Sequence, residues 1–153
     1  MADGRTVWHD GAMTYASLFF ASFVAATILP AQSEAVLAAL LVRGEQPAAA
    51  LIIVATIGNV LGSLCNWLLG RGIDRFRQHR WFPATPEQLD RAAAHYARWG
   101  HWSLLLSWAP VIGDPLTLIA GVLREPLWRF LLLVTLAKLG RYLIVYFAVQ
   151  ALA

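Results

Sequence analysis

The sequence predicts an all-α integral membrane protein. It would consist of two inverted repeats, each a re-entrant or broken helical hairpin followed by a transmembrane helix, joined by a cytoplasmic amphipathic helix. Three observations predict this. Of 153 residues, 59% are hydrophobic and 14% charged, against about 45–50% and about 25% in ordinary soluble domains. From Gln46 to Gly70 there is no charged residue, a run longer than the roughly 20 residues a helix needs to cross about 30 Å of hydrocarbon. Finally, Pro30 and Pro110 each precede an acid by four positions, Glu34 and Asp114, inside otherwise apolar stretches.

The first apolar stretch covers 11–42. As one straight helix it would measure about 48 Å, too long for one crossing and too short for two with a turn. Pro30 removes a backbone donor and disfavours helix at Leu29. The stretch is therefore expected to break into arms Tyr15–Leu29 and Ala31–Val42 that meet within the membrane. Irregular backbone at that depth must be buried in protein or face a watery cavity.

The uncharged run is the second stretch. Gly58 and Gly62 make a GxxxG spacing that lets another helix approach closely, and Asn59 and Asn66 can hydrogen-bond across such a contact. Next comes the one extended polar region, 71–101. Its Arg71, Arg75, Arg77, Arg80, Arg91 and Arg98 are half of the chain's 12 basic residues, which places it in the cytoplasm by the positive-inside rule. Thr85 and Pro86 read as N-cap and first helical residue. Leu89, Ala92, Ala93, Tyr96 and Trp99 share one face of a helix lying along the membrane surface.

The third stretch, Trp99–Leu123, is broken by Pro110, Gly113 and Pro115 into arms each too short to cross, which fits a re-entrant hairpin, with a kinked single span in a plain four-span protein as the alternative. The fourth, Leu127–Ala153, is long enough. It carries Lys138 and Arg141 well inside, where a cation normally points into a bundle or cavity.

LPAQSEAVLAALLVRG over APVIGDPLTLIAGVLR, and ATIGN (55–59) over VTLAK (134–138), suggest an internal repeat. The chain then divides as a single membrane domain, with repeat 1 at 11–70, the connector at 71–101 and repeat 2 at 102–153. Inverted repeats with discontinuous helices are the pattern of secondary transporters. In the expected multi-pass topology the N-terminus, the Arg43 turn and the C-terminus lie outside, and the basic segment and the Arg124 turn inside. The opening MADGRTVWHD lacks the positive region of a secretory signal, so the first apolar segment is expected to stay in the mature protein.

The run YARWGHWSLLLSWAPVIGDPLTLIAG (96–121) resembles the signature region of the DedA superfamily, also called the VTT or SNARE-associated group, and in particular its short YqaA-like branch. LPAQSEAVL, with Glu34, resembles that family's first acidic re-entrant segment. The resemblance spans about 19–142. It implies two facing re-entrant hairpins, each followed by a spanning helix, and lipid translocation, with some members proton-coupled. Larger members carry arginines three before and three after the proline matching Pro110; here Ser107 and Gly113 stand there, so Lys138 and Arg141 become the candidate cations. The family's next proline is Thr117 here.

The transport and proton site is expected at Glu34, Asp114, Arg141 and Lys138, because an ionised carboxylate in hydrocarbon costs several kcal/mol unless paired or hydrated. Gln32, Asn59, Asn66 and Thr117 are pathway-lining candidates, with Ser33 and Thr135 beside them. Pro30, Pro110, Gly113, Pro115 and Gly121 form the hairpin framework. The bland alternative is that the acids cap broken helix ends or pair statically with the two cations.

Neither a metal nor any other cofactor is expected: His9, His79, His95 and His101 have no paired ligand spacing, and Cys65 is alone. The net charge of +3 is accounted for by cytoplasmic loops, so nucleic acid is not expected as a partner. Trp67, Trp81, Trp99, Trp102, Trp108 and Trp128 read as interfacial anchors. Gly113–Asp114 only partly matches the GxGD element of intramembrane aspartyl hydrolases, and no Ser/His pair sits in a nucleophile motif, so an enzyme is not expected. The reading is an inner-membrane protein that moves a lipid or small amphipathic solute, with membrane lipids as partners and self-association to complete its environment. The alternative is a non-catalytic assembly partner in a membrane complex.

Overall fold

In the computed structural model the described residues are 4–26, 32–72, 98–109 and 113–152, together with 91, 94 and 96. Among them every element is helical: α1 (Gly4–Ala25), α2 (Gln32–Arg43), α3 (Ala48–Arg71), a 3-10 helix (Gly100–Trp108), α4 (Gly113–Val122) and α5 (Leu127–Leu152). Two of these, α3 and α5, are long and apolar enough to cross a membrane.

α3 is the central helix, touching all four other α-helices. Its glycines account for the close approach of α1. A Cβ at Gly58 would stand 2.6 Å from the Phe19 carbonyl oxygen, and one at Gly62 2.6 Å from the Ala26 Cβ. The GxxxG pair is therefore a backbone-contact seam with α1, as such spacing permits. Phe19 and Ser22 lie at Gly58, and Phe23 and Ala26 at Gly62, so α1 and α3 run parallel. A second seam joins α3 to α4. A Cβ at Gly70 would collide with the Leu118 carbonyl, and one at Gly121 with the Trp67 carbonyl.

α3 and α5 run antiparallel. Asn59 bonds Tyr142 near one end, and the Trp67 and Phe130 rings meet at 5.9 Å near the other. Two apolar clusters follow from this register. One gathers Trp67, Tyr96, Leu104, Leu116, Phe130 and Val134; the other gathers Leu18, Leu37, Leu51, Ile52, Ala55 and Tyr142. Between them, α3 contributes Asn59, Ser63 and Asn66 and α5 contributes Lys138 and Arg141, all buried. The outward face is apolar: Ile53, Ile57, Leu61 and Leu68 on α3, and Leu132, Leu136, Ile144 and Phe147 on α5, are exposed. A polar interior inside an apolar surface is the inverse of a soluble domain and suits hydrocarbon solvent.

Four expectations need correction. α1 begins at Gly4 rather than Tyr15 and is helical to Ala25, since nothing after Gly4 breaks the helix. The first arm of the third stretch is a 3-10 helix. It opens at Gly100 with φ +57°, Ser103 Oγ donates to the Gly100 carbonyl at 2.7 Å, and Ala109 N donates to the Leu106 carbonyl at the other end. Gly113 and Pro115 do not interrupt a helix; they form the first turn of α4, where proline's missing donor costs nothing. Trp67 is not an interfacial anchor either. It is buried at 4% exposure, with the Arg71 guanidinium 4.7 Å above its ring, because the α4 backbone closes over it at Gly121.

Pro30 and Pro110 lie outside the described residues, as do Trp81 and most of the surface helix expected within 71–101. Of that helix's apolar face, Tyr96 is buried and Trp99 exposed. Tyr96 donates a hydrogen bond to Glu125, in the turn before α5.

Candidate functional site

Two short helices start at the polar middle of the bundle, and each carries an acid in its first turn: Glu34 in α2 and Asp114 in α4. That position is electrostatically favourable, because unpaired N–H groups there present partial positive charge. α5 supplies both cations. Arg141 Nε donates to Glu34 Oε1, and Lys138 Nζ lies 3.7 Å from Asp114 Oδ1. The cations stand three positions apart, so they lie one turn apart on one helix face. The structure thus brings the four expected residues together as two ion pairs on a shared helix. Lys138 and Arg141 side chains are 3% and 6% exposed, while Glu34 and Asp114 are 32% and 17% exposed. The acids therefore form the accessible side of each pair.

Neutral groups extend from both pairs. Asn59 Nδ2 donates to the Tyr142 hydroxyl at 2.9 Å, and that hydroxyl donates to Ser33 Oγ at 3.1 Å, next to Glu34. On the other side, Asn66 Nδ2 donates to the Ala26 carbonyl at 2.8 Å and to Thr117 Oγ1 at 3.4 Å. Thr117 Oγ1 in turn donates to the Asp114 carbonyl at 2.7 Å. Asn59, Asn66 and Thr117 are all buried at 2% exposure or less. Thr135 is only partly buried. The side chain of Gln32 lies outside the described residues.

Ser107 and Gly113 sit where the chain is tightly packed. Ser107 is fully buried, and a Cβ at Gly113 would collide with the Ser107 carbonyl. Long basic side chains at these two positions would force the 3-10 helix and α4 apart.

The Glu34–Arg141 pair opens onto a cavity of about 160 Å³ lined by Glu34, Trp108, Arg141, Ile144 and Val145. Trp108 and Ile144 are also exposed on the outer surface, so charge and lipid-facing apolar surface meet in one place. A larger cavity of about 260 Å³ beside the α2–α3 turn is lined by uncharged residues, among them Gln46, Tyr146 and Gln150.

Sequence reasoning missed Tyr142, Ser22 and Ser63. Tyr142 lies four residues after Lys138 and beside Arg141; Ser63 lies four after Asn59. Those helical spacings from already suspect residues were the available signal.

Fold and site together define a helical membrane protein with paired charges at its centre, held by helices that begin inside the bundle. The chain belongs to the VTT-domain family, the DedA group, whose family model matches residues 29–151. It is 40% identical over 134 residues to inner membrane protein YqaA of Escherichia coli (strain K12), covering 88% of this chain and 89% of that protein. The match to inner membrane protein YqaA of Shigella flexneri has the same identity and coverage. A Haemophilus influenzae protein is 33% identical over 147 residues, covering 92% of this chain and 88% of that protein. No solved structure matches the chain.

Proposed function

We propose that the protein translocates a lipid, or a small amphipathic solute, across the inner membrane, with Glu34 and Asp114 as the groups that exchange protons. One observation carries this reading: the ion pair of Glu34 and Arg141 opens onto a cavity whose other walls are Trp108, Ile144 and Val145. A headgroup entering there meets charge, while an attached chain stays against apolar surface that faces lipid. This division of labour suits an amphipathic substrate and no other class as well. The inner-membrane location follows the name of the Escherichia coli and Shigella relatives.

The same reading takes the chain as two inverted copies entering from opposite faces of the membrane. Parallel α1 and α3, with the shorter α2 between them in sequence, fit a hairpin followed by a span, and antiparallel α3 and α5 fit inversion of the copies. The protein is read as a multi-pass transporter rather than an enzyme, with membrane lipids as partners and self-association closing the protein around the hairpins.

The test is transbilayer movement of labelled lipids of several headgroups in proteoliposomes at several pH values, comparing wild type with Glu34→Gln and Asp114→Asn. Movement lost in both folded variants supports the reading. Unchanged movement reduces the acids to scaffolding. No movement of any lipid, with one stoichiometric protein partner recovered in mild detergent, replaces the reading with an assembly role.

A further inference from the structure

Asn59, Ser63 and Asn66 recur at i, i+4 and i+7 along α3 and so share one face. Ser22 of α1 packs beside them at Gly58. All four are buried at 2% exposure or less. Both asparagine amide nitrogens have partners, yet Oδ1 of Asn59, Oδ1 of Asn66 and the hydroxyls of Ser22 and Ser63 have no hydrogen-bond partner among the described residues. Each dry, unpaired group of this kind is destabilising, because it gives up its hydrogen bonds to water for nothing. Four lining one seam would rarely be tolerated unless something polar occupied it.

We propose that this face of α3 holds a file of water that joins the Glu34–Arg141 pair to the Asp114–Lys138 pair and conducts protons between the two carboxylates. Each end stops beside an acid. Asn59 reaches Ser33 Oγ, on the residue before Glu34, through Tyr142, and Asn66 reaches Thr117 Oγ1, which donates to the backbone carbonyl of Asp114; in the proposed file, waters make the last link to each carboxyl group. From Asn59 to Asn66 the helix rises about 10 Å, a gap that a few waters at hydrogen-bond spacing fill. The charged groups flanking the file are Glu34 from α2, Asp114 from α4, and Lys138 and Arg141 from α5; the groups described on α1 and α3 that line it are neutral. The transfer is balanced. One O–H bond breaks at the protonated carboxyl, each water passes on one proton, and one O–H bond forms at the receiving carboxylate.

The inference rests on the translocation reading for the use made of the proton, but the water file can be tested by itself. In a Cys65→Ala background, Ser63→Cys is treated with a small cationic methanethiosulfonate, whose sulfur is attacked by the thiolate that forms in water and not in a dry core, with methanesulfinate leaving. Ala55→Cys, on the same helix in the apolar cluster, is the dry control. The expected result is labelling of Ser63→Cys much faster than of Ala55→Cys. Equal rates in folded protein overturn the file.

Conduction is read in vesicles loaded with a pH dye under an imposed potential. Protons are expected to enter with wild type and Ser63→Thr, and not with Ser63→Val. No entry with wild type, or unchanged entry with folded Ser63→Val, overturns conduction. Lipid movement measured in the same vesicles judges the translocation reading separately, since labelling at Ser63→Cys does not depend on it.

Discussion

Lys138 and Arg141 lie one turn apart on α5 and hold acids from two different helices, Asp114 at the start of α4 and Glu34 at the start of α2. The cost of leaving a charge in this interior is therefore met twice by one helix. Where the sequence segments ATIGN and VTLAK are laid over one another, Asn59 falls on Lys138. That neutral residue bonds Tyr142 instead of an acid.

Replacing one member of a buried pair should cost more than replacing both. Lys138→Met leaves Asp114 without its cation and is expected to destabilise by about 3–5 kcal/mol, and Lys138→Met with Asp114→Asn by clearly less. Denaturant unfolding in detergent measures the cycle. A double variant as unstable as the sum of the two single variants would show that the pair is not coupled.

The glycine seam between α3 and α4 gives an opposite pair of outcomes. Gly121→Ala drives a methyl into the Trp67 carbonyl and should destabilise by about 1–3 kcal/mol, as overpacking does. Gly140→Ala on α5 meets nothing within 4 Å and should stabilise by up to about 1 kcal/mol through helix propensity. Thermal melting of both variants checks this, and equal melting points would contradict the packing described.

Tyr142→Phe keeps the ring in its apolar cluster and removes only the hydroxyl between Asn59 and Ser33. The Asn59 donor left behind should cost about 1–3 kcal/mol. An unfolding free energy within a few tenths of wild type would mean that Asn59 finds another partner readily.

Tyr96 lies outside the spanning helices. Burial, followed by its hydrogen bond to the Glu125 carboxylate and that charge, pushes its phenol above the ordinary value of 10.0. A raised pKa means the unfolded chain loses this proton first. The contribution is complete below pH 10 and is lost as pH rises toward the folded value. Wild type should therefore lose stability above about pH 10 more steeply than Tyr96→Phe. Parallel curves would show that Tyr96 ionises equally in both states.

Much of the fold was legible because hydrocarbon makes charge rare and therefore informative. Glu34, Asp114, Lys138 and Arg141 stood out from their apolar surroundings, and Gly58 and Gly62 announced a close helix contact that α1 fills. Which acid meets which cation was not legible, because pairing depends on the depth at which α2 and α4 start and on the register of α3 against α5. Serines at Ser22 and Ser63 were hidden for another reason. A hydroxyl on an apolar helix usually bonds its own backbone, so only the absence of such a bond reveals them.

The spacing of the two cations restricts how α5 can move. A shift along its axis by three residues, about 4.5 Å, would carry Arg141 to the place of Lys138 or the reverse. One acid would then exchange its cation for the other while its neighbour lost its own. Two negative charges and a two-rung ladder of positive ones thus make a register mark, in which sliding the ladder by one rung changes the partner count at one acid only.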